Sequence, residues 1–349
     1  MTPKGVVIFP EMPAPSGGGF GVSHVPALEH VANRPIARHV LDVLVSAGVE
    51  EMVFAAAPDV LLEVRACLAE QEPERVRLSY VICADRSSTA AGLRAAAPHV
   101  GAAPCIVHLA DGLLDEPLLS YVDSLSTSSS DLTLVCQSSA PGRVAAMPAA
   151  AGRTNGTGSV AVEPGIGLFG PGALRRACES TTRSAATSLE DIGRGLSDGG
   201  WHVEVCPTDG WRRYRGDPGD LLEVNRLALD LLEPKRASAV GNDNRIEGRV
   251  CIHETASVTS SVLVGPVIIG EGAEVRDAYI GPYTSVGARA RLEGVEIERS
   301  IISPDASVMH VGARLVSSLV GRGAHVFRDF SLPRAIRLRV GEGDEVVLC

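Results

Sequence analysis

The strongest constraint on the fold lies in the C-terminal third. There an aliphatic residue is followed four positions on by a small residue and six positions on by another aliphatic residue. The pattern occurs at Ile252/Ala256/Val258, Ile269/Ala273/Val275, Ile280/Thr284/Val286, Ile302/Ala306/Val308 and Val320/Ala324/Val326. Six-residue rungs with aliphatic corners and a small residue at the inside of each turn specify a parallel β-helix. Each rung buries its corner only against the next, so the faces and ends of such a solenoid are surfaces for self-association.

The preceding two thirds follow a different period. Gly5-Val6-Val7-Ile8-Phe9 is a continuous apolar run ended by Pro10, the form of a strand buried on both faces of a parallel sheet. A Pro- and Gly-rich loop follows to Gly21. Pro35 then opens a helix whose apolar residues Ile36, Val40, Leu41, Val43, Leu44 and Ala47 recur at three and four, with Gly48 in the capping position. The cycle repeats through a strand at 51–55, a helix at 59–70, a strand at 78–83, a helix at 90–97 and a strand at 105–109 that reaches Ala110-Asp111-Gly112. Strands alternating with helices predict a doubly wound, mostly parallel α/β sheet, with ligands at the carboxyl ends of the strands. Asp111 stands at such an end, where a carboxylate serves either as a Mg²⁺ ligand or as a loop cap. Residues 220–232, ended by Pro234, read as a helix linking the two parts. The expected division is an α/β domain over 1–216, a linking helix and connector over 217–248, and the β-helix over 249–349.

Composition narrows the function. Lys and Arg total 32 against 42 Asp and Glu, a net charge of −10, and only Lys4 and Lys235 are lysine. An acidic chain with no basic cluster lacks the footprint for binding nucleic acid or an anionic membrane surface. No apolar stretch has the length of a membrane span, and the N-terminal apolar run is broken by Pro10 and Glu11, so a cytoplasmic protein is expected. The eight cysteines (67, 83, 105, 136, 178, 206, 251 and 349) show no metal-type spacing and read as buried thiols.

Two stretches carry a resemblance. Val31-Ala32-Asn33-Arg34-Pro35-Ile36, with the helix ending at Ala47-Gly48-Val49-Glu50-Glu51, is similar to the segment after the signature loop of sugar-1-phosphate nucleotidyltransferases. Gly265-Pro266-Val267-Ile268-Ile269-Gly270-Glu271-Gly272-Ala273 and Asp277-Ala278-Tyr279-Ile280-Gly281-Pro282-Tyr283-Thr284-Ser285-Val286-Gly287 resemble the long-form glucose-1-phosphate thymidylyltransferases of actinobacterial antibiotic pathways. The resemblance implies a Rossmann-like α/β nucleotidyltransferase domain followed by a left-handed parallel β-helix of hexapeptide repeats. It also implies a reaction in which a sugar-1-phosphate oxygen attacks the α-phosphorus of a nucleoside triphosphate and pyrophosphate leaves.

Such enzymes hold the triphosphate with a glycine-rich loop and an arginine. They set lysines at the α-phosphate and the sugar phosphate, the second with a glutamate, and bind Mg²⁺ through two aspartates. Here the loop reads Pro10-Glu11-Met12-Pro13-Ala14-Pro15-Ser16-Gly17-Gly18-Gly19-Phe20-Gly21: it keeps three consecutive glycines, has no equivalent arginine, and carries Glu11, which repels phosphate. The loop lysine falls on Pro26. The Glu-Glu-Lys-Pro motif aligns with Ala145-Ala146-Met147-Pro148, the base-reading glutamine with Cys83, and the second metal aspartate with Tyr214. Ser88-Thr89-Ala90 stands near a Gly-Thr-Ala turn, and Asp111 matches the first metal aspartate.

Gly17, Gly18, Gly19, Ser88 and Thr89 are therefore the nucleotide-binding candidates, and Asp111 is the candidate for Mg²⁺. Arg212, Arg213 and Arg215 could supply charge near a phosphate or form a salt-bridged edge. Three functions follow: a catalytically degenerate homologue that binds nucleotide or sugar phosphate, alone or as a homo-oligomer or hetero-oligomer with an active nucleotidyltransferase; an active nucleotidyltransferase with a rebuilt site; or an acyltransferase using His253 or His310 of the β-helix.

Overall fold

The computed structural model describes residues 2–11, 25–69, 75–83, 85, 88–127, 130–137, 145–146, 163–181, 187–234, 241 and 243–328. Strands β1 (Lys4–Ile8), β2 (His30–Val31) and β3 (Arg34–Pro35) precede helix α1 (Ile36–Ser46). They are followed by β4 (Glu51–Ala56), α2 (Pro58–Leu68), β5 (Arg77–Ile82), α3 (Thr89–Val100), β6 (Cys105–Leu109) and β7 (Gly112–Leu114). Next come α4 (Leu119–Thr127), β8 (Leu132–Gln137), β9 (Ala145–Ala146), β10 (Pro164–Phe169), α5 (Ala173–Thr181) and α6 (Leu189–Asp198). The series ends with β11 (Val203–Thr208), β12 (Trp211–Arg213) and α7 (Pro218–Asp230), after which the β-helix begins.

Two compact units emerge. The first holds the N-terminal strand, Val25–Glu29 and Pro35–Arg215; the second holds His30–Arg34 and the chain from Gly216 onward. In the first, one sheet has the order β5-β4-β1-β6-β10-β8-β11-β9. Strand β1 lies parallel to β4 and β6, whereas β10 runs antiparallel to both β6 and β8. The expected doubly wound sheet is thus a mixed one. Strands β1 and β6 are buried almost throughout, as their unbroken apolar runs require. The helix signals operate as expected: Pro35 caps α1 at its start, and Gly48 leaves the following turn at φ +80°. Helix α6 is closed by a capping box in which the Ser188 hydroxyl accepts from the Asp191 amide and the Asp191 carboxylate accepts from the Ser188 amide.

In the second unit, three five-stranded parallel sheets form a left-handed β-helix. Its core is stacked columns. Ile252, Ile269, Val286, Ile302 and Val320 form one, and Val258, Val275, Leu292, Val308 and Val326 another. A third column, Leu263, Ile280, Ile297 and Leu315, supplies the remaining face. The small residues Ala273 and Ala306 are buried inside the turns, whereas Thr284, expected at such a turn, is buried within a strand beside Val267. At the outer corners the backbone turns through positive φ, at Ser260, Asp277, Gly294 and His310 along one edge. This left-handed region favours glycine and short polar residues.

Helix α7 starts where the Asp217 carboxylate accepts from the Gly219 amide at 2.7 Å. Its Asn225, fully buried, is the polar centre of this unit. Asn225 Oδ1 accepts from the Ala32 amide (2.8 Å) and the Ser285 hydroxyl (2.6 Å), and its Nδ2 donates to the Tyr283 carbonyl (3.3 Å). Asn33 Nδ2 donates to the Val286 carbonyl at 2.7 Å. Ala32 and Asn33 both have positive φ, a conformation unfavourable for alanine that these bonds hold in place. Among the described residues no helix is long and apolar enough to cross a membrane, and the cysteines form no disulfide.

Candidate functional site

The carboxyl ends of β1, β4 and β5 meet the N-terminus of α3 around a pocket of about 40 Å³. Its lining includes Ile8, Glu11, Ala56, Cys83, Asp85, Ser88, Thr89 and Gly92. Ser88 is the N-cap of α3, its hydroxyl accepting from the Ala91 amide at 3.2 Å, and the Thr89 amide donates to the Thr187 carbonyl at 2.9 Å. A Cβ on Gly92 would lie 3.1 Å from Ile8 Cδ1, so glycine lets α3 sit close to β1. The structure brings Ser88 and Thr89 to one pocket, and the same wall carries two carboxylates. Cys83 donates to the Asp85 carbonyl at 3.1 Å, and burial pushes its thiol pKa up. Gly17, Gly18 and Gly19 lie outside the described residues, as do Lys235, Met147 and Pro148.

Asp111 lies beyond the end of β6 and is buried. The ribbon formed by β7 and β12 sets Arg213 opposite Gly112. That register brings the guanidinium to the carboxylate: Arg213 Nε donates to Asp111 Oδ2 at 3.0 Å, and Nη2 donates to the same oxygen. The Asp111 carbonyl accepts from the Tyr214 amide at 2.7 Å, and Tyr214, the residue aligned with a second metal aspartate, is itself buried. Glycine is required at 112, where a Cβ would run into the Arg212 carbonyl and the Trp211 indole. It is required again at 165, where a Cβ would fall inside the Trp211 ring.

His108 on β6 packs edge-on against Trp211 with ring centroids 5.3 Å apart. Its Nδ1 bonds the Leu109 carbonyl at 2.8 Å, which can only accept, so the proton of the neutral ring is on Nδ1. Complete burial lowers its pKa to about 4, the Leu109 bond opposing that shift.

The other named residues sit apart from Asp111. Lys4 pairs with Glu51 at 3.0 Å and donates to the His99 carbonyl at 2.8 Å, at the amino end of the sheet. Arg212 Nη1 donates to the Trp211 carbonyl at 2.9 Å, and Arg215 is paired with Glu163. Of the three clustered arginines only Arg213 reaches Asp111. Pro26 is buried in a short 3₁₀ turn. In the β-helix, His253 Nδ1 lies 2.9 Å from the Thr255 hydroxyl, and His310 is a corner residue at φ +52°.

The donor set at Asp111 does not fit Mg²⁺. A hard cation of that size takes near-octahedral oxygen ligands and keeps several waters. Here one carboxylate oxygen is taken by a guanidinium and the neighbouring aligned position is a tyrosine. Among the described residues no group of three or more His, Cys, Asp or Glu side chains could hold a metal.

A mixed α/β sheet with its pocket at the strand carboxyl ends, joined to a left-handed β-helix, defines a nucleotidyltransferase-type scaffold. No family model matches the chain. Individual proteins do. A glucose-1-phosphate thymidylyltransferase of Streptomyces antibioticus is 38% identical over 151 residues, 43% of this chain and 42% of that protein. One of Streptomyces griseus is 36% identical over 180 residues, 51% of this chain and 50% of its own length. The chain thus matches about half or less of these two relatives. A low-salt glycan biosynthesis nucleotidyltransferase of Haloferax volcanii is 29% identical across 91% of this chain and 92% of its own. These similarities support a place for the chain among the sugar-1-phosphate nucleotidyltransferases.

Proposed function

We propose that this chain is a catalytically degenerate sugar-1-phosphate nucleotidyltransferase. It would act in NDP-sugar metabolism as a nucleotide- or sugar-phosphate-binding subunit, by itself or assembled with an active relative. The observation that carries the reading is the state of Asp111: the one retained metal-type carboxylate is neutralised by Arg213, and Tyr214 stands where a second would be needed. Transfer to a phosphorus centre rests on positioning and on neutralising charge. Each preorganised charge-stabilising donor lost costs about 100- to 1000-fold in rate. With both lysines, the loop arginine and one aspartate replaced, the losses act on one transition state, and even strong non-additivity leaves little turnover. Glu11 and Asp85 on the pocket wall oppose a triphosphate further. The proposal places the chain in the cytoplasm.

The test is pyrophosphate release by the purified chain with Mg²⁺, a panel of nucleoside triphosphates and a panel of sugar-1-phosphates. No release above background is expected. Robust turnover lost in Asp111→Ala would establish the alternative, an active enzyme with a rebuilt site. For the assembly role, the chain should co-purify with an intact thymidylyltransferase-like protein and change its kinetics.

A further inference from the structure

The pair at Asp111 is part of the fold and not a loose surface contact. Side-chain exposure is 4% for Asp111 and 20% for Arg213. The guanidinium enters from β12, whose register with β7 is set by Trp211 opposite Leu114, Arg212 opposite Leu113 and Arg213 opposite Gly112. Trp211 is wholly buried, and the glycines at 112 and 165 leave room for its ring. The backbone that carries Arg213 to Asp111 is therefore held by a buried tryptophan.

The remaining oxygen, Asp111 Oδ1, is buried and meets no protein donor among the described residues. It is the one place where a cation could still touch this carboxylate. A cation there would share the carboxylate with a guanidinium, and two positive charges so close repel strongly at a site shielded from water. It would also have to shed most of its water at a residue that is nearly inaccessible, which Mg²⁺ does reluctantly.

We infer that Arg213 is a resident counter-cation that takes the place of a divalent metal at Asp111, so that ligand binding at this carboxyl end of the sheet is independent of Mg²⁺. This rests on the same carboxylate as the proposed function, but its readout is metal binding and not turnover, so the two can fail separately. The guanidinium neutralises the carboxylate permanently and without exchange, whereas a metal would come and go with its ligand. Any nucleotide or sugar phosphate held by this chain would then depend on protein donors alone.

The experiment is titration of Mn²⁺ into the full-length chain, followed by the electron paramagnetic resonance signal of the free ion. Wild type and Asp111→Asn should give the same Mn²⁺ isotherm. Arg213→Gln, shown to be folded by circular dichroism, should bind Mn²⁺ at least tenfold more tightly than wild type, and Asp111→Asn/Arg213→Gln should lose that gain. Wild-type binding that disappears in Asp111→Asn overturns the inference, as does a folded Arg213→Gln chain with no gain. Should Arg213→Gln fail to fold, the comparison of wild type with Asp111→Asn decides the matter alone: equal isotherms support the inference and unequal ones refute it. Pyrophosphate release, whatever its outcome, leaves this measurement unchanged.

Discussion

In the β-helix, each inward column repeats one kind of residue: Ile252, Ile269, Val286, Ile302 and Val320 stack in register, and the buried polar side chains there, such as Thr284, Ser285 and Ser300, are small. At the end of β6 nothing repeats. Asp111, Arg213, His108 and Trp211 come from two distant stretches, and each occurs there once. A stack of near-equivalent rungs spreads its stability over many similar contacts between neighbours. The carboxyl end of β6 concentrates its specificity in a few tight ones, where a single atom out of place is felt. The contrast separates a region built on repetition from one built on single, unrepeated contacts.

The largest effect expected from that contrast is Gly165→Ala. The new methyl would fall inside the Trp211 ring, and overpacking at so rigid a site should cost about 3 kcal/mol or more in urea denaturation. An effect under about 1 kcal/mol would mean that the Trp211 region yields, and that this site is no tighter than the solenoid.

Next is acid sensitivity. His108 has its folded pKa depressed from 6.5 to about 4. Below pH 6.5 the unfolded chain takes up a proton that the folded chain refuses, so this contribution is intact at neutral pH and is lost progressively as pH falls from 6.5 to 4. The loss amounts to about 3 kcal/mol. His108→Gln should flatten that part of the stability profile; an unchanged slope would assign the acid sensitivity elsewhere.

The corresponding test in the second unit is Asn225→Ala, which strands the Ala32 amide and the Ser285 hydroxyl. The expected cost is about 2 kcal/mol. It should also quicken amide exchange at Ala32, whose backbone Asn225 holds at positive φ. The smallest effect belongs to the solenoid's surface. Arg289 makes a bidentate pair with Asp305 at 2.7 and 2.9 Å, and its hydrogen bonds, then its charge, lower the pKa of that carboxylate, yet both groups are well exposed. Arg289→Ala should leave the melting temperature within error of wild type. A clear drop would show that surface ion pairs contribute to the stack.

Much of this was legible in advance because it depends on local chemistry. Pro35 and Gly48 mark where α1 starts and ends, and the apolar runs at 5–9 and 105–109 have the pattern of strands buried on both faces. The hexapeptide spacing marks Val275 and Val308 as equivalent corners and they share a column, but Val286, the same position of its own hexapeptide, stacks instead with Ile269 and Ile302. Asp111 was identifiable as a carboxylate at a strand end, and Ser88 and Thr89 as neighbours of a turn. The antiparallel insertion of β10 was not legible, since PGIGLF carries no mark of strand direction. Arg213 was one of three clustered arginines of equal standing. Only the register of a two-stranded ribbon singles it out.

The sequence by itself determined the periodicities, and with them the two architectures, and it carries Pro26, Met147 and Tyr214 where the resemblance would set two lysines and an aspartate. These are properties of residue type and spacing, which local sterics and burial translate directly into elements. The tertiary structure alone decided what became of the charge that remained. The partner of Asp111 lies 102 positions along the chain. Whether a carboxylate meets a metal, water or a guanidinium depends on which distant strand the fold lays beside it, because electrostatic pairing acts through space and leaves no mark on spacing.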